Sequence, residues 1–391
     1  MKIAKLFVGD PKNQKGYFNN VIARTQHLFE VEKDVDCYMI RLYFDFILRA
    51  LKGNFSSVKK EEYTIVDGIR FKNIWVSISW YDFILTYRLH RKVISNKNKL
   101  KKFVSDFKQY DLLSVHGIEA IFIAASVKEK YSIPFVSTWH GSDINIKPFR
   151  NNRTKYEIKN LLDQANHNFF VSNKLKDVAS TISEKENKEV LYTGPAKSFF
   201  KYDEHRISSL KQEYGIKTQY VVGFIGNYTR IKNVLVLPFI FEELQREFKD
   251  TISFVIVGNG NLEAELNKLF LEKKIKNVLN LGKQLPHKIP DIINCFDVLI
   301  LPSLNEGLPL VTLEAQACGV HVVGSDRGGI PESIGSENCF TLDDQFVNNI
   351  SNRITELLKN AHVKPSLPSK FTWEGAVKKE IELYRKLLIS K

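Results

Sequence analysis

The stretch NEGLPLVTLEAQACGVHVVGSDRGGIPE, Asn305–Glu332, decides how this chain is read. It follows the apolar run DVLILPS, Asp297–Ser303, and contains a second, VHVVGS. Between them LVTLEAQAC has helical periodicity and ends at Gly319, a C-cap residue. A strand, a helix and a strand within one short segment describe a parallel crossover. Asn305, Glu306 and Gly307 fall at the carboxyl end of the first strand, where such sheets bind ligands. Pro309 suits a first helical turn because it has no amide hydrogen to leave unpaired there. The amides of Gly307, Leu308 and Leu310 then lie at a helix N-terminus, which favours anions. Glu306 stands at the strand end and Glu314 inside the helix. One ligand reaches both if it carries an anion in its middle and hydroxyls at its two ends. A nucleotide sugar has that layout, and carboxylates accept well from paired hydroxyls.

The same grammar extends upstream. YVVGFIG (Tyr220–Gly226), ISFVIVGNG (Ile252–Gly260) and NVLNLG (Asn277–Gly282) are short apolar runs, and a helical segment follows each, HKIPDIINCF after the last. The first half repeats the pattern in KIAKLFVG, LLSVHG, IPFVSTWHGSD and HNFFVSN, while Cys37–Trp80 is aromatic-rich and resists assignment. At 391 residues the chain exceeds one ordinary core. Two doubly wound α/β domains facing across a cleft are expected, with a boundary near YTGPAKSFF, Tyr192–Phe200.

Composition narrows the class. With 43% hydrophobic and 26% charged residues the chain reads as soluble and globular. A net charge of +13 suits an anionic ligand, an acidic membrane surface or nucleic acid. No nucleic-acid motif accompanies it, so no nucleic-acid partner is expected. Four scattered cysteines give no disulfide framework or zinc spacing and fit a reducing compartment. The start lacks a signal-peptide core, and no run is long enough to span a bilayer, so a cytoplasmic protein is expected. DVD, Asp34–Asp36, does not close a clear strand and is read as a solvated face, not a metal site. Phe83–Ser105 has seven basic residues and no acid. It is expected to form a basic amphipathic helix on an anionic membrane.

These motifs resemble those of retaining glycosyltransferase family 4, whose fold is termed GT-B. Asn305–Glu332 resembles that family's E-x7-E segment, and GNYTRIKN (Gly226–Asn233) resembles its glycine loop with a phosphate-binding lysine, Lys232. FVIVGNG is similar to the strand and turn beside the nucleoside, which brings in Gly258. STWHGSD resembles the first-domain histidine segment, GGIPE the donor-site closure, and FTWEGAVKKEIELYRKLL (Phe371–Leu388) the terminal helix that crosses back to the first domain.

The resemblance implies an acceptor domain over 1–195, joined by the helix 373–391, and a nucleotide-sugar domain over 196–372. It implies transfer of a hexose to an acceptor hydroxyl on a glycan or lipid carrier, with no metal and no further cofactor. Lys232 and the helix N-terminus would hold the diphosphate, Glu314 the ribose and Glu306 the sugar. His140 would face the reacting carbon; His116 is a weaker candidate. The family's arginine after the loop glycine is replaced here by Asn227, with Arg230 the expected substitute. Gly16 stands where the family often has paired glycines, and Thr193-Gly194 where it has an Asn-Gly turn. Three rivals stand beside this reading: a GT-B epimerase, a non-catalytic nucleotide-sugar binder and a nucleic-acid-binding protein.

Overall fold

A computed structural model describes residues 1–11, 16–51, 53, 56–94, 96–360 and 364–389. The chain divides into two compact units, Met1–Thr193 with Thr372–Lys391, and Gly194–Phe371.

The first unit is built on eight strands among the described residues: β1 (Ile3–Val8), β2 (Val35–Phe44), β3 (Tyr63–Val66), β4 (Ile69–Ile78), β5 (Leu112–His116), β6 (Phe135–Trp139), β7 (His167–Phe170) and β8 (Lys188–Val190). Their order is β3-β4-β2-β1-β5-β6-β7-β8, and only the β3–β4 pair is antiparallel. β1 and β5 are buried at every position or nearly so, as expected for strands covered on both faces. The unassigned aromatic segment forms β2, β3 and β4. Asp67 and Gly68 turn the β3–β4 hairpin, both with positive φ, the pattern of a two-residue type I′ turn.

The helix Trp373–Ile389 packs on this unit. Its Glu380 is fully buried and accepts from Arg24 Nε at 2.7 Å, with Lys5 Nζ at 4.0 Å. Burial alone would raise the Glu380 carboxyl, but Arg24 and Lys5 hold it down at about 2. Tyr384 donates its one hydroxyl proton to Glu380 and lies 2.7 Å from Ser114 Oγ.

The second unit carries β9 (Tyr220–Ile225), β10 (Ile252–Val257), β11 (Val278–Gly282), β12 (Val298–Leu301), β13 (His321–Ser325) and β14 (Cys339–Phe340). They form an all-parallel sheet in the order β11-β10-β9-β12-β13-β14. Apolar clusters cover both faces, one around Phe241 and Phe254, the other around Leu299 and Val322.

One expected element is absent. Phe83–Ser105 is not a continuous amphipathic helix. It contains the end of helix Trp80–Phe83, a π-helical turn Ile84–Arg88, a connection, and the short helix Lys97–Lys101. His90 adopts a left-handed φ of 50°, which ends the helical run. Val93, Ile94 and Leu100 are buried in the unit. The lysines also find acids outside the segment: Lys92 reaches Asp82 and Lys97 reaches Glu157, each at 3.4 Å. DVD stands at the start of β2 with Asp34 and Asp36 exposed, the solvated face expected of it; Asp36 also accepts from Tyr110 Oη at 2.6 Å.

Candidate active site

In each sheet the strand order reverses direction once. The chain leaves the central strand for one edge, then returns to its other side. The reversal lies between β1 and β5 in the first unit and between β9 and β12 in the second. Loops from the two flanking strands part there, leaving a crevice at their carboxyl ends.

At the second unit's reversal, Gly226 follows β9 and leads into the turn Arg230–Lys232. The loop after β12 meets it: Leu304 N donates to Ile231 O at 2.8 Å. Lys232 Nζ then donates to Glu306 Oε1 at 2.6 Å, both side chains being largely sheltered. The structure thus joins two side chains that the sequence reading assigns to different parts of a ligand. Glycines hold the Glu306 loop. A Cβ on Gly328, whose φ is +60°, would lie 2.0 Å from Glu306 O, and one on Gly329 would lie 2.0 Å from Gly307 O. Gly329 N also donates to Glu306 O at 3.1 Å. The GGIPE segment therefore closes directly against the backbone of Glu306 and Gly307.

The helix after this loop is Leu310–Ala317, with Pro309 as its N-cap residue, one position earlier than expected. Gly307, Leu308 and Leu310 are partly exposed around it. Glu314 is half-buried with no compensating partner among the described residues, and desolvation pushes its carboxyl up to about 7. It is not the solvated helix residue that periodicity alone would make it.

The remaining positions separate. Asn227 and Arg230 are exposed. A Cβ on Gly226 would lie 3.1 Å from the Phe224 ring. Gly258 faces protein: a Cβ there would lie 1.9 Å from Gly226 O, so the fold itself requires this glycine. Gly16 opens the helix Gly16–Val31, and among the described residues nothing outside its own helix turn and chain neighbours stands within 4 Å of where its Cβ would be. The rest of its loop, 12–15, lies outside the described residues.

At the first unit's reversal, His140 follows β6 and His116 ends β5. His116 Nδ1 and His140 Nε2 are 3.0 Å apart, so one ring donates to the other. His116 is fully buried. Burial, then the Lys5 and Arg24 cations, depresses its pKa well below the usual value. Burial, then Arg24 and Lys5, takes His140 down to about 3. Both imidazoles are therefore neutral across the physiological range. The Tyr17 ring meets His140 edge-on at 4.8 Å, a contact no sequence signal announced.

Two family models match the chain: Glycosyltransferase Family 4 over residues 56–194 and Glycosyl transferases group 1 over residues 207–372. TuaC of Bacillus subtilis, named for teichuronic acid biosynthesis, is 25% identical over 373 residues, spanning 93% of this chain and 90% of its own. The N-acetyl-alpha-D-glucosaminyl L-malate synthase of Bacillus anthracis is 29% identical over 59% of this chain and 60% of its own. Among solved structures, the sucrose-phosphate synthase of Thermosynechococcus elongatus superimposes with a TM-score of 0.74 at 18% identity over all of both chains. Anabaena HepE, solved with UDP and glucose, gives 0.71 at 16% identity over 97% of this chain and 99% of its own. With a family model matched in each doubly wound unit and this fold common to both structures, the chain belongs to the family 4 type glycosyltransferases of GT-B fold.

Proposed function

We propose that the protein is a retaining hexosyltransferase that uses a nucleotide-diphosphate sugar, in the assembly of a bacterial-type polysaccharide or glycolipid. The observation that carries this reading is the Lys232–Glu306 pair at the second unit's strand reversal, with Glu314 on the helix that follows. An incoming diphosphate competes for Lys232 as a stronger anion than one carboxylate. Lys232 turns to it, and Glu306, released, accepts from sugar hydroxyls. Glu314 accepts from the ribose. The bond from the anomeric carbon to the phosphate oxygen breaks with its electron pair on the phosphate. The acceptor oxygen bonds to that carbon on the same face, and its proton passes to the departing phosphate. Neutral His140 stabilises positive charge at the carbon without repelling it. Catalysis then rests on positioning and on stabilising the leaving group, with no metal and no other cofactor in the scheme.

The polysaccharide role is supported by TuaC, the relative named for teichuronic acid biosynthesis. The reading is tested by calorimetry of UDP, GDP and their sugars against the full chain, followed by product stereochemistry. Binding of one nucleoside diphosphate and an α-linked product from an α-linked donor are expected. An inverted product or indifference to all nucleotides refutes it. A freely reversible change of donor configuration without acceptor would favour the epimerase rival.

A second reading, attachment to an anionic membrane, has its own support. Strands β2 and β4 are paired in register, Phe44 opposite Ile78, and each runs into a short helix. Phe46, Ile47 and Leu51 after β2, with Trp80, Tyr81 and Tyr87 after β4, are exposed. Exposed Arg88 and Arg91 stand beside them in sequence. Aromatics with flanking cations suit the headgroup region. No helix among the described residues is long and apolar enough to cross a membrane. Cosedimentation with vesicles containing anionic phospholipid should be strong at low salt and lost on changing Phe46, Trp80 and Tyr81 together to Ser. Unchanged cosedimentation removes this surface from the proposal.

A further inference from the structure

The strand reversal of the first unit opens into a cavity of about 480 Å3, within the ~300–1,000 Å3 range of small-molecule sites. Its walls come from the ends of β1, β5 and β6: Val8 and Gly9, Gly117 and Glu119, His140 and Asp143. Within a chain of net charge +13, this cavity is acidic. Among the described residues, Asp10, Glu119 and Asp143 line it, against one cation, Lys147.

That cation is already engaged, since Lys147 Nζ lies 2.7 Å from Asp143 Oδ1. Asp10 Oδ1 accepts from Arg41 Nη2 at 3.1 Å. No side-chain hydrogen bond to Glu119 is present among the described residues; burial raises its carboxyl above the ordinary value, with the nearby Lys147 charge opposing the rise. The Tyr17 hydroxyl is buried and closes no hydrogen bond among the described residues. Gly117, at φ +87°, lets the wall come close: a Cβ there would lie 3.1 Å from Tyr17 Oη. The cavity therefore offers a carboxyl and a phenol, and no uncommitted cation among the described residues. A phosphate or carboxylate entering it would lose water opposite like charge. An uncharged polyol would give its hydroxyl protons to Glu119 and accept from Tyr17.

We infer that this cavity is the acceptor subsite, that it takes an uncharged sugar rather than a phosphorylated or acidic one, and that Glu119 sets this preference by accepting from an acceptor hydroxyl. The inference rests on the transferase reading and deepens it. The donor side of that reading belongs to the second unit and is tested separately.

The experiment uses the full chain with UDP-glucose, UDP-N-acetylglucosamine and GDP-mannose as donors. Acceptors are p-nitrophenyl hexosides, each beside its 6-phosphate and its uronate. Transfer to the neutral hexoside should exceed transfer to its charged counterparts by about tenfold or more, the scale of one hydrogen bond to a charged group. Glu119→Gln should lower kcat/KM for the neutral acceptor by a similar factor and leave donor KM unchanged. Asp143→Asn, which frees Lys147, should improve use of the 6-phosphate. Equal or preferred use of charged acceptors by the wild type overturns the inference.

If no acceptor is turned over, ligand-observed NMR with methyl α-D-glucopyranoside and glucose 1-phosphate decides. Binding of the neutral sugar that Glu119→Gln weakens supports it. Binding of the phosphate alone, or of neither, overturns it. UDP and GDP binding, measured on the same samples, reports whether the transferase reading itself stands.

Discussion

The two strand reversals are alike in topology and opposite in chemistry. The second unit presents a lysine already paired with a glutamate, backbone amides at a helix start, and glycines that let two loops touch. The first presents a cavity lined by three carboxyl side chains and the neutral His140, whose ring pairs with the buried His116. The same crevice is thus filled by whatever the loops supply, and charge separates the two sites. The comparison also shows where each site's order comes from. In the second unit the site is held by its own loops. In the first, the His116–His140 pair rests on a buried ion cluster: Lys5, Arg24 and Glu380, the last from the terminal helix.

The sharpest way to break the comparison is to remove Glu380. Arg24 and Lys5 would then be buried with no counter-ion, which costs about 3–5 kcal/mol. Glu380→Ala should lower the denaturant midpoint for the first unit on that scale. The second unit's nucleotide diphosphate affinity should be unchanged at temperatures where the protein is still folded. Loss of both together would show that the two sites share one support. Acid acts in the same direction. The Glu380 carboxyl sits at about 2 in the folded state, below its ordinary 4.5. The stability it contributes is therefore present above about pH 4.5 and is lost as pH falls toward 2.

A smaller effect is expected at the second site. Lys232→Ala should weaken nucleotide diphosphate binding by about 1.5–3 kcal/mol, the range for a charged hydrogen bond. The ion pair places the loss toward the low end, because the diphosphate must first take Lys232 from Glu306. For the same reason Glu306→Gln should not weaken the nucleotide diphosphate, and it should slow turnover of the complete donor. Equal losses in the two variants, read by calorimetry, would mean that both side chains touch the same phosphate.

How much of this was legible depended on which interactions are local. β9 to β13 are short apolar runs bounded by glycine, proline or serine; the Lys232 loop and Glu306 follow two of them and Glu314 sits on the next helix, so a period and a few turn residues locate them. Asp67-Gly68 was equally local, a two-residue hairpin signal between apolar runs, and the reading passed over it amid the aromatics of Cys37–Trp80. The charge of Phe83–Ser105 misleads when read along the chain, because acids that pair with its lysines, Asp82 and Glu157, lie outside the segment. The Lys232–Glu306 pair, 74 residues apart, and the Arg24–Glu380 pair, 356 apart, are products of topology with no local signature. Tyr17 and Glu119 were invisible for the same reason: each is an ordinary helix residue until β1 and β5 part beside it.

The smallest predicted effect is the one that tests Glu314 alone. Desolvation holds its carboxyl near 7, well above the ordinary 4.5. Below pH 7 the folded, empty site carries a protonated acid, a weaker acceptor for ribose hydroxyls than the carboxylate. Above pH 7 the carboxylate forms and accepts at full strength. Charged hydrogen bonds exceed neutral ones by about 1 kcal/mol, so affinity for the nucleoside diphosphate should rise about fivefold from pH 6 to pH 8. The ligand's own phosphate also titrates in this window, since such groups have a second pKa of about 6. The informative quantity is therefore the difference between two profiles. Glu314→Gln cannot ionise and should retain only the phosphate's contribution, giving a flatter curve that meets the wild type at low pH. Parallel curves would detach Glu314 from the ribose. A variant that binds more tightly than the wild type at pH 8 would show that the carboxylate repels the ligand, and would reverse its assignment.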